Sequence, residues 1–164
     1  MMKSKTLTVF GVLMSSVMTV SSYAADIKNY QGTHCVPITS SSTYSSEYRY
    51  SHPFGYVQNT SSSKWLYLEC PLVRDDTTAN NQASAGYVRV KDQNASLDVE
   101  CAFYRVYDTG NVAGGSVKRS SGSSTAMQQL DFPNLNQGGS KYTMHMKCKL
   151  PPSSKLYSYS ANEL

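Results

Sequence analysis

Hydrolytic chemistry is the first activity to look for in this chain, because serine is abundant and three histidines are present. A serine hydrolase needs a nucleophile, a histidine base and a carboxylate in contact with one another. His34 adjoins a cysteine, His52 precedes a proline, and His145 falls on the polar face of a predicted strand. None of them belongs to a Gly-x-Ser-x-Gly or His-Glu-x-x-His motif, so the sequence predicts no catalytic residue. A triad assembled only by the fold stays open as an alternative.

Metal binding is a second chemistry to consider, since thiolates and imidazoles are the usual zinc ligands. No two cysteines are spaced in the Cys-x-x-Cys manner typical of zinc sites, and the histidines are scattered. The acidic run at residues 74–77 would suit calcium, yet it lacks the spaced aspartates of a calcium loop. We therefore expect neither a metal nor a cofactor.

Residues 1–24 have the three regions of a secretory signal peptide. Two lysines precede an uncharged, mostly apolar run over residues 7–20, and small residues follow up to Ala24. The apolar run is shorter than the roughly 20 residues that span a bilayer as a helix. The sequence predicts cleavage after Ala24 and a mature chain of residues 25–164 that is secreted or periplasmic and has no membrane span.

An exported chain enters an oxidising space, where an even number of cysteines predicts disulfide bonds. The four cysteines are Cys35, Cys70, Cys101 and Cys148. Four cysteines allow three connectivities, which composition alone does not separate. We favour Cys35–Cys70 and Cys101–Cys148, because the order of strands could place each pair on neighbouring strands of one half of the fold.

Alternation of polar and apolar residues predicts β-strands. Residues 66–70, 97–101 and 142–148 each run into a cysteine, and in each the apolar residues share the phase of that cysteine. Side chains two apart in a strand share a face, so we expect these cysteines and their apolar neighbours to point into the core. The polar residues then form one wet face, as antiparallel sheets permit.

These segments predict an all-β fold in a single domain. A mature chain of this length forms one core, and tyrosine supplies the apolar area that its few aliphatic residues do not. We expect about eight strands in an antiparallel β-sandwich or jelly roll, with the Gly- and Ser-rich residues 108–125 as a long connection. Further strands are expected near residues 34–38, 47–52, 127–132 and 155–160.

Two segments, residues 55–74 and 86–105, align without a gap. Both open with Gly-Tyr-Val, both have Glu-Cys at the same place, and an arginine follows four residues after each cysteine. Strand, polar turn and strand in each segment predict a β-hairpin. We interpret the match as a repeat of that hairpin, with shared hairpin composition as the alternative explanation.

The cysteine-containing motifs resemble those of a group of small, exported bacterial proteins of no known activity. The resemblance is carried by the run from Cys70 to Asp75, Cys-Pro-Leu-Val-Arg-Asp, by Asn59 and Cys101, and by Cys148 with the Leu150-Pro151 that follows. It implies export and a β-rich fold. It implies no activity, ligand or functional residue.

Exposed aromatic residues are the strongest indication of a function. The segment 42–56 is rich in tyrosine and serine, which together make good contact surfaces, but the same tyrosines could simply cover the core. Trp65 is out of phase with its apolar neighbours, so we expect it on the solvent face with Tyr67 nearby. The candidate binding residues are Trp65, Tyr67, Tyr44, Tyr48, Tyr50 and Arg49.

We therefore expect a non-enzymatic binding module that recognises a glycan or a surface protein. Without the two signal-peptide lysines the net charge falls from +4 to +2. This charge is too small to indicate nucleic-acid binding. The first alternative is a subunit of an extracellular assembly that self-associates by edge-strand pairing, with residues 155–164 as the donor strand. The second alternative is a small secreted hydrolase.

Overall fold

A computed structural model of the chain describes residues 26–38, 47–73, 83–133, 135 and 142–163. The predicted signal peptide, residues 1–24, lies outside these ranges, and its cleavage stays a prediction. Eleven β-strands occur in the described part of the chain. They are β1 (Asp26–Gln31), β2 (Val36–Pro37), β3 (Tyr48–Ser51), β4 (Tyr56–Asn59), β5 (Leu66–Pro71), β6 (Ala83–Lys91), β7 (Glu100–Tyr107), β8 (Val112–Arg119), β9 (Gln128–Phe132), β10 (Tyr142–Leu150) and β11 (Lys155–Glu163).

The strands form two antiparallel sheets. The six-stranded sheet has the order β3-β4-β11-β6-β9, and β1 pairs with β11 as its sixth strand. The five-stranded sheet has the order β2-β5-β10-β7-β8. Two short 3-10 turns, Gly32–His34 and His52–Phe54, also occur in the described ranges. No helix in these ranges has the length and apolar character needed to cross a membrane.

Both sheets contribute their inner side chains to one core. The cysteine strands alternate as predicted: Leu66, Leu68 and Cys70 of β5 are buried, and the residues between them are not. Leu97 departs from the prediction and is 40% exposed, because it belongs to a turn that precedes β7. The side chain of Asn94 closes that turn by accepting the Leu97 amide at 2.9 Å. The rest of the core comes mainly from β6, β7, β9, β10 and β11.

The expected number of about eight strands is too low. The strands missed include β1 and also β8, which lies inside the segment predicted as a long connection. Gly114 and Gly115 disguise β8 in the sequence, since glycine is depleted in strands. Gly115 nevertheless fits this position, because an added Cβ would approach the Tyr104 Cβ to 2.7 Å. The close approach of Tyr104 therefore explains why glycine occurs at position 115 in spite of its low strand propensity.

The hairpin predicted for each of the two similar segments is wrong. β4 pairs with β3 and β11, whereas β5 pairs with β2 and β10. β6 and β7 likewise belong to different sheets. In both segments the chain therefore crosses from the six-stranded to the five-stranded sheet at the polar turn. Turn composition shows where a strand ends, but not which strand its successor pairs with.

Buried polar side chains hold these crossing turns together. Asp92 follows β6 and is fully buried, and its carboxylate accepts hydrogen bonds from the amides of Asn94 and Val99 and from the hydroxyls of Ser120 and Ser154. Four donors compensate for the cost of burying the charge, which would otherwise be large. One carboxylate thus ties together the turns after β6, β8 and β10.

Asn59, also fully buried, has a similar role in the turn after β4. Its side-chain amide donates to the carbonyl oxygens of Lys64 and Leu150 at 2.8 and 2.9 Å. Its side-chain oxygen accepts the Ser61 amide at 3.0 Å. The turn is therefore attached both to itself and to the end of β10.

Two disulfide bonds, Cys35–Cys70 and Cys101–Cys148, are present, and these are the two favoured pairs. Cys101 and Cys148 lie directly opposite each other on β7 and β10. Cys35 immediately precedes β2, which pairs with β5 near Cys70. All four cysteines are buried, and the second bond joins two adjacent strands of the five-stranded sheet.

The C-terminal segment expected to act as a donor strand occupies the interior of a sheet. β11 pairs with β6 along one side, and with β4 and β1 along the other. Its backbone is therefore already paired, so this part of the assembly hypothesis is wrong. The ends of the five-stranded sheet are β2 and β8, and self-association through another edge stays a prediction.

Candidate functional site

The outer face of the five-stranded sheet combines aromatic, charged and very small side chains. On β5, β7 and β10 these residues alternate with the buried residues of the core. Strand pairing places them in cross-strand rows. The face comprises Trp65, Tyr67 and Glu69 along β5, Thr143, His145, Lys147 and Lys149 on β10, Glu100, Ala102 and Tyr104 on β7, and Gly115, Val117 and Arg119 on β8.

Trp65 and Tyr67 lie at one end of this face. Trp65 immediately precedes β5 and is half-buried, and the Nζ atom of Lys149 stands 5.3 Å from the centre of its ring. Tyr67 is 36% exposed and lies directly opposite Lys149 in the strand register. A cation over an aromatic ring is an attractive contact that orients both groups.

His145 occupies the middle of the face and has three neighbours. Its Nδ1 lies 3.0 Å from Oε1 of Glu69, and its Nε2 lies 2.9 Å from Oγ1 of Thr143. Its ring stacks on Tyr104 with the ring centres 5.7 Å apart. These contacts hold the imidazole and the Tyr104 ring in fixed positions on the sheet.

Lys147 covers the other part of Tyr104. Its Nζ lies 5.3 Å from the ring centre. Interaction with Tyr104 raises the pKa of Lys147, with a further contribution from Glu69 that partial burial opposes. Lys147 is therefore a permanent cation beside an aromatic ring at every pH at which the protein would work.

Glu100 neutralises two other cations on this face. Its carboxylate lies 3.1 Å from Nζ of Lys149 and 2.5 Å from the guanidinium of Arg119. Partial burial alone would raise the pKa of Glu100, but the hydrogen bonds and charges of Lys149 and Arg119 lower it below its ordinary value. The charges of this face are therefore largely compensated within it.

A groove of about 400 Å³ runs beside Tyr104. Its walls are Tyr104, Val117 and Lys147, and its floor is formed where Ala102 and Gly115 have little or no side chain. Val117 is 55% exposed, so one wall offers apolar surface to the solvent. The small size of Ala102 and Gly115 thus leaves space beside the tyrosine ring.

A second groove, of about 610 Å³, lies on the other side of His145. It is bounded by Val36 of β2, by Pro71 and Leu72 at the end of β5, and by the polar side chains of Glu69 and His145. Such a combination of apolar walls with a few convergent polar groups is typical of ligand sites.

The contacts of His145 also have the connectivity of a hydrolytic triad. Thr143, His145 and Glu69 follow one another as hydroxyl, imidazole and carboxylate, each within 3.0 Å of the next. In a hydrolase the hydroxyl would be the nucleophile and the imidazole its base. Here the side chains of His145 and Glu69 are 32% and 39% exposed, so water reaches both groups and weakens the electrostatic interaction between them.

Three of the other predicted binding residues, Tyr48, Arg49 and Tyr50, belong to β3 of the six-stranded sheet. Tyr48 and Tyr50 are half-buried, pack against the core and meet edge to face at 5.5 Å. The Tyr50 hydroxyl donates a 2.8 Å hydrogen bond to the carbonyl oxygen of Cys35, and burial, with the neighbouring Tyr48, raises the pKa of Tyr50. Arg49 points the opposite way and is exposed. Tyr44 lies outside the described residues.

The structure thus divides the predicted set between the two sheets, with Trp65 and Tyr67 on the five-stranded sheet and Tyr48, Arg49 and Tyr50 on the six-stranded sheet. Tyr104, His145 and Lys147 were not predicted as site residues, although His145 and Lys147 were placed on the polar face of their strand. The sequence did contain an indication of this site. Like Tyr67, these residues fall on the outward phase of their strands, and strands that pair in one sheet align their outward residues. No group of three His, Cys, Asp or Glu side chains in the described part of the chain could hold a metal ion. The acidic run at residues 74–77 lies outside that part.

Comparison with known proteins gives resemblances in overall structure only. No family model and no curated protein matches the sequence. A carbohydrate-binding module (CBM6cm-2) of Cellvibrio mixtus lichenase 5A, in complex with cellotriose, is similar to 82% of this chain over 95% of its own length, at 14% identity and a TM-score of 0.42. A CBM4 structure is similar to 82% of this chain and covers 81% of its own length, at 9% identity and a TM-score of 0.30.

Proteins of other kinds give similar scores. A structure of the Gx strain of infectious bursal disease virus matches 95% of this chain with 36% of its own length, at 10% identity and a TM-score of 0.42. These neighbours differ in what they do, and the chain spans about a third of the viral protein. These resemblances therefore assign no function to the present chain.

Proposed function

We propose that the mature chain, residues 25–164, is an exported, non-catalytic β-sandwich that binds a glycan through the outer face of the five-stranded sheet. The proposal depends on one observation, which is that Trp65, Tyr67 and Tyr104 lie on the same sheet face as two open grooves. Aromatic rings offer rigid apolar area to the carbon face of a sugar. Polar side chains between them can hydrogen-bond sugar hydroxyls and fix their orientation.

The rigidity of the face supports a binding role. Lys149 and His145 orient Trp65 and Tyr104, and both belong to β10, the central strand of the sheet. Side chains already held in their bound positions lose little conformational entropy when a ligand binds. A sheet face with ordered rings is therefore better suited to binding than a loop of the same composition.

The charge balance of the face favours a neutral glycan. Glu100 pairs with Lys149 and Arg119, and Glu69 lies beside His145. Ion pairs of this kind still accept and donate hydrogen bonds at their free positions, which suits hydroxyl groups. They leave little net field to attract a charged polymer.

Retention on insoluble neutral polysaccharides such as cellulose, xylan and chitin tests the proposal. The double variant Trp65→Ala/Tyr67→Ala and the single variant Tyr104→Ala should each lose most of the bound fraction while keeping a cooperative thermal transition. Tyr107→Ala is the matched control, because Tyr107 is 45% exposed and lies three residues beyond Tyr104 on the same strand, β7, in the opposite phase to the residues that line the grooves. Unchanged retention of the first two variants would reject this site, and binding of a surface protein but no glycan would support the protein-partner alternative.

Hydrolysis is a second candidate, favoured by the Thr143–His145–Glu69 connectivity beside the larger groove. Its test is a panel of ester and glycoside substrates with the purified mature chain. A genuine activity must fall at least a hundredfold in Thr143→Val and in His145→Gln. If the unmodified protein shows only background rates, the hydrolase hypothesis is rejected and the binding function is the remaining proposal.

A further inference from the structure

The outer face of the six-stranded sheet carries a row of cations set by strand register. Arg49 lies opposite Gln58, Gln58 lies opposite Lys155, and Lys155 lies opposite Lys91. Four adjacent strands, β3, β4, β11 and β6, thus present three cations at one level. We call Arg49, Lys155 and Lys91 the basic row.

No carboxylate compensates for the basic row within the described residues. Arg49 donates to the Gln58 side chain at 3.0 Å, and neither it nor the two lysines has a carboxylate within ion-pairing distance there. Like charges directly opposite each other destabilise a sheet. Lys155 and Lys91 nevertheless occupy such a position, which a bound anion would relieve.

Aromatic rings lie directly beside the basic row. Phe54, which is 71% exposed, stacks nearly parallel to Tyr56 with centres 6.3 Å apart. Tyr56 in turn contacts Tyr157 at 5.1 Å. We call Phe54, Tyr56 and Tyr157 the ring cluster.

The cations and rings are in direct contact. Nζ of Lys155 stands 5.0 Å from the centre of Tyr56, and Nζ of Lys91 stands 5.5 Å from the centre of Tyr157. A hydrogen bond with Ser51, together with the charges of Lys155 and Arg49, lowers the pKa of Tyr56. The ring cluster therefore lies in a positive field that its own residues do not cancel.

We propose that this face binds an acidic polysaccharide, with its carboxylate or sulfate groups on the basic row and its sugar rings on the ring cluster. This site is separate from the one proposed above, because it belongs to the other sheet and takes an anionic ligand instead of a neutral one. The two faces differ in charge for a definite reason, since the lysines of the five-stranded sheet lie near Glu69 and Glu100, whereas among the described residues no carboxylate pairs with the lysines of the basic row.

A polysaccharide fits this surface better than a nucleic acid does. Nucleic-acid sites usually have extended basic stripes that neutralise many phosphates. The basic row contains three cations, and the mature chain has a small net charge. A polymer with one charge per sugar or fewer matches that spacing and can use the rings as well.

Affinity electrophoresis and calorimetry with the disulfide-bonded mature chain test the inference. The probes are polygalacturonate for carboxylates, heparin for sulfates, dextran as the neutral polymer, and single-stranded DNA. We expect binding to one or both acidic polysaccharides that weakens as salt is raised, and none to dextran. The probe that binds identifies the anionic group.

The decisive variant is Lys91→Gln/Lys155→Gln, and the matched control is Lys147→Gln/Lys149→Gln on the other sheet. The first should weaken acidic-polysaccharide binding at least tenfold, and the second less than twofold. Arg49→Gln, a single exposed change in the basic row, should weaken it about threefold and serves if the double variant does not fold.

Three results would overturn the inference: no binding to either acidic polysaccharide, equal weakening by both lysine pairs, or tighter binding of the DNA. None of them bears on the glycan site of the five-stranded sheet, because retention on neutral polysaccharides is measured separately. Conversely, loss of that retention in the Trp65 and Tyr67 variants should leave binding to the acidic probes unchanged.

Discussion

The hydroxyl of Tyr159 donates a 3.0 Å hydrogen bond to the carbonyl oxygen of Pro71, and this bond joins the two sheets. Tyr159 lies in β11 of the six-stranded sheet, and Pro71 ends β5 of the five-stranded sheet. The tyrosine is fully buried and its ring stacks on Tyr30 at 5.0 Å. Burial, with a contribution from Tyr30, raises the pKa of Tyr159 far above its ordinary value, so the hydroxyl remains a donor.

Tyr159→Phe should therefore lower the free energy of unfolding by about 1–2 kcal/mol, because it removes a buried donor and leaves a carbonyl oxygen less well paired. Urea denaturation followed by tyrosine fluorescence measures the change. Tyr87→Phe is the control, since its hydroxyl bonds Asn29 at the exposed surface and should contribute less than about 0.5 kcal/mol. Equal effects of the two changes would contradict this account.

Asp92→Asn should be among the most destabilising polar substitutions in this protein. The carboxylate accepts four hydrogen bonds, including one from the Ser120 hydroxyl at 2.5 Å, and an amide nitrogen would face two of those donors. We expect a loss of about 3 kcal/mol, measured by chemical denaturation. Asp131→Asn, an exposed change on β9, should cost less than about 0.5 kcal/mol.

Glu100 should contribute a pH-dependent part of the stability. Its folded-state pKa is lower than that of an unfolded glutamate, about 4.3. The carboxylate therefore stabilises the protein fully above the unfolded pKa, and that stabilisation is lost as the pH falls through the lower folded pKa. The difference in unfolding free energy between the parent chain and Glu100→Gln should be constant above about pH 5.5 and shrink below about pH 4. A difference that does not change with pH would contradict the ion pairs as its cause.

The two disulfides should stabilise different parts of the structure. Each closes a loop of some tens of residues, with sequence separations of 35 and 47, so each removal should cost roughly 3–4 kcal/mol on a chain-entropy estimate. Cys35→Ala/Cys70→Ala should in addition release β2, which is only two residues long, and loosen the Tyr50 hydrogen bond to residue 35.

Hydrogen exchange distinguishes the two disulfide variants. Exchange near residues 35–38 should accelerate selectively in the first variant, whereas Cys101→Ala/Cys148→Ala should lower protection throughout β7 and β10. These two strands are long and pair directly at the disulfide. The same exchange pattern in both variants would argue that each bond acts only through the unfolded chain.

Strand positions and faces were largely predictable from the sequence, because alternation is a local property with a period of two residues. It predicted the buried faces of β5 and β10 and the outward position of Tyr67. It did not predict the edge strand β8, because two glycines lower the strand propensity of that segment. Gly115 is nevertheless required there, since Tyr104 leaves no room for a Cβ atom. It also predicted the position of Leu97 wrongly, because the Leu97 amide donates a hydrogen bond to the side-chain oxygen of Asn94 and this bond keeps Leu97 in a turn.

The sequence by itself determined an all-β chain, two favoured cysteine pairs and an outward Trp65 and Tyr67. Only the tertiary structure decided which strands pair, and this sent β4 and β5 to different sheets and placed β11 in the interior of one. It also decided that His145 meets Glu69 and Tyr104, and that Lys155 faces Lys91. The physical reason is that a strand carries its alternation locally, whereas its partners are selected by burial and hydrogen bonding among segments far apart in the chain.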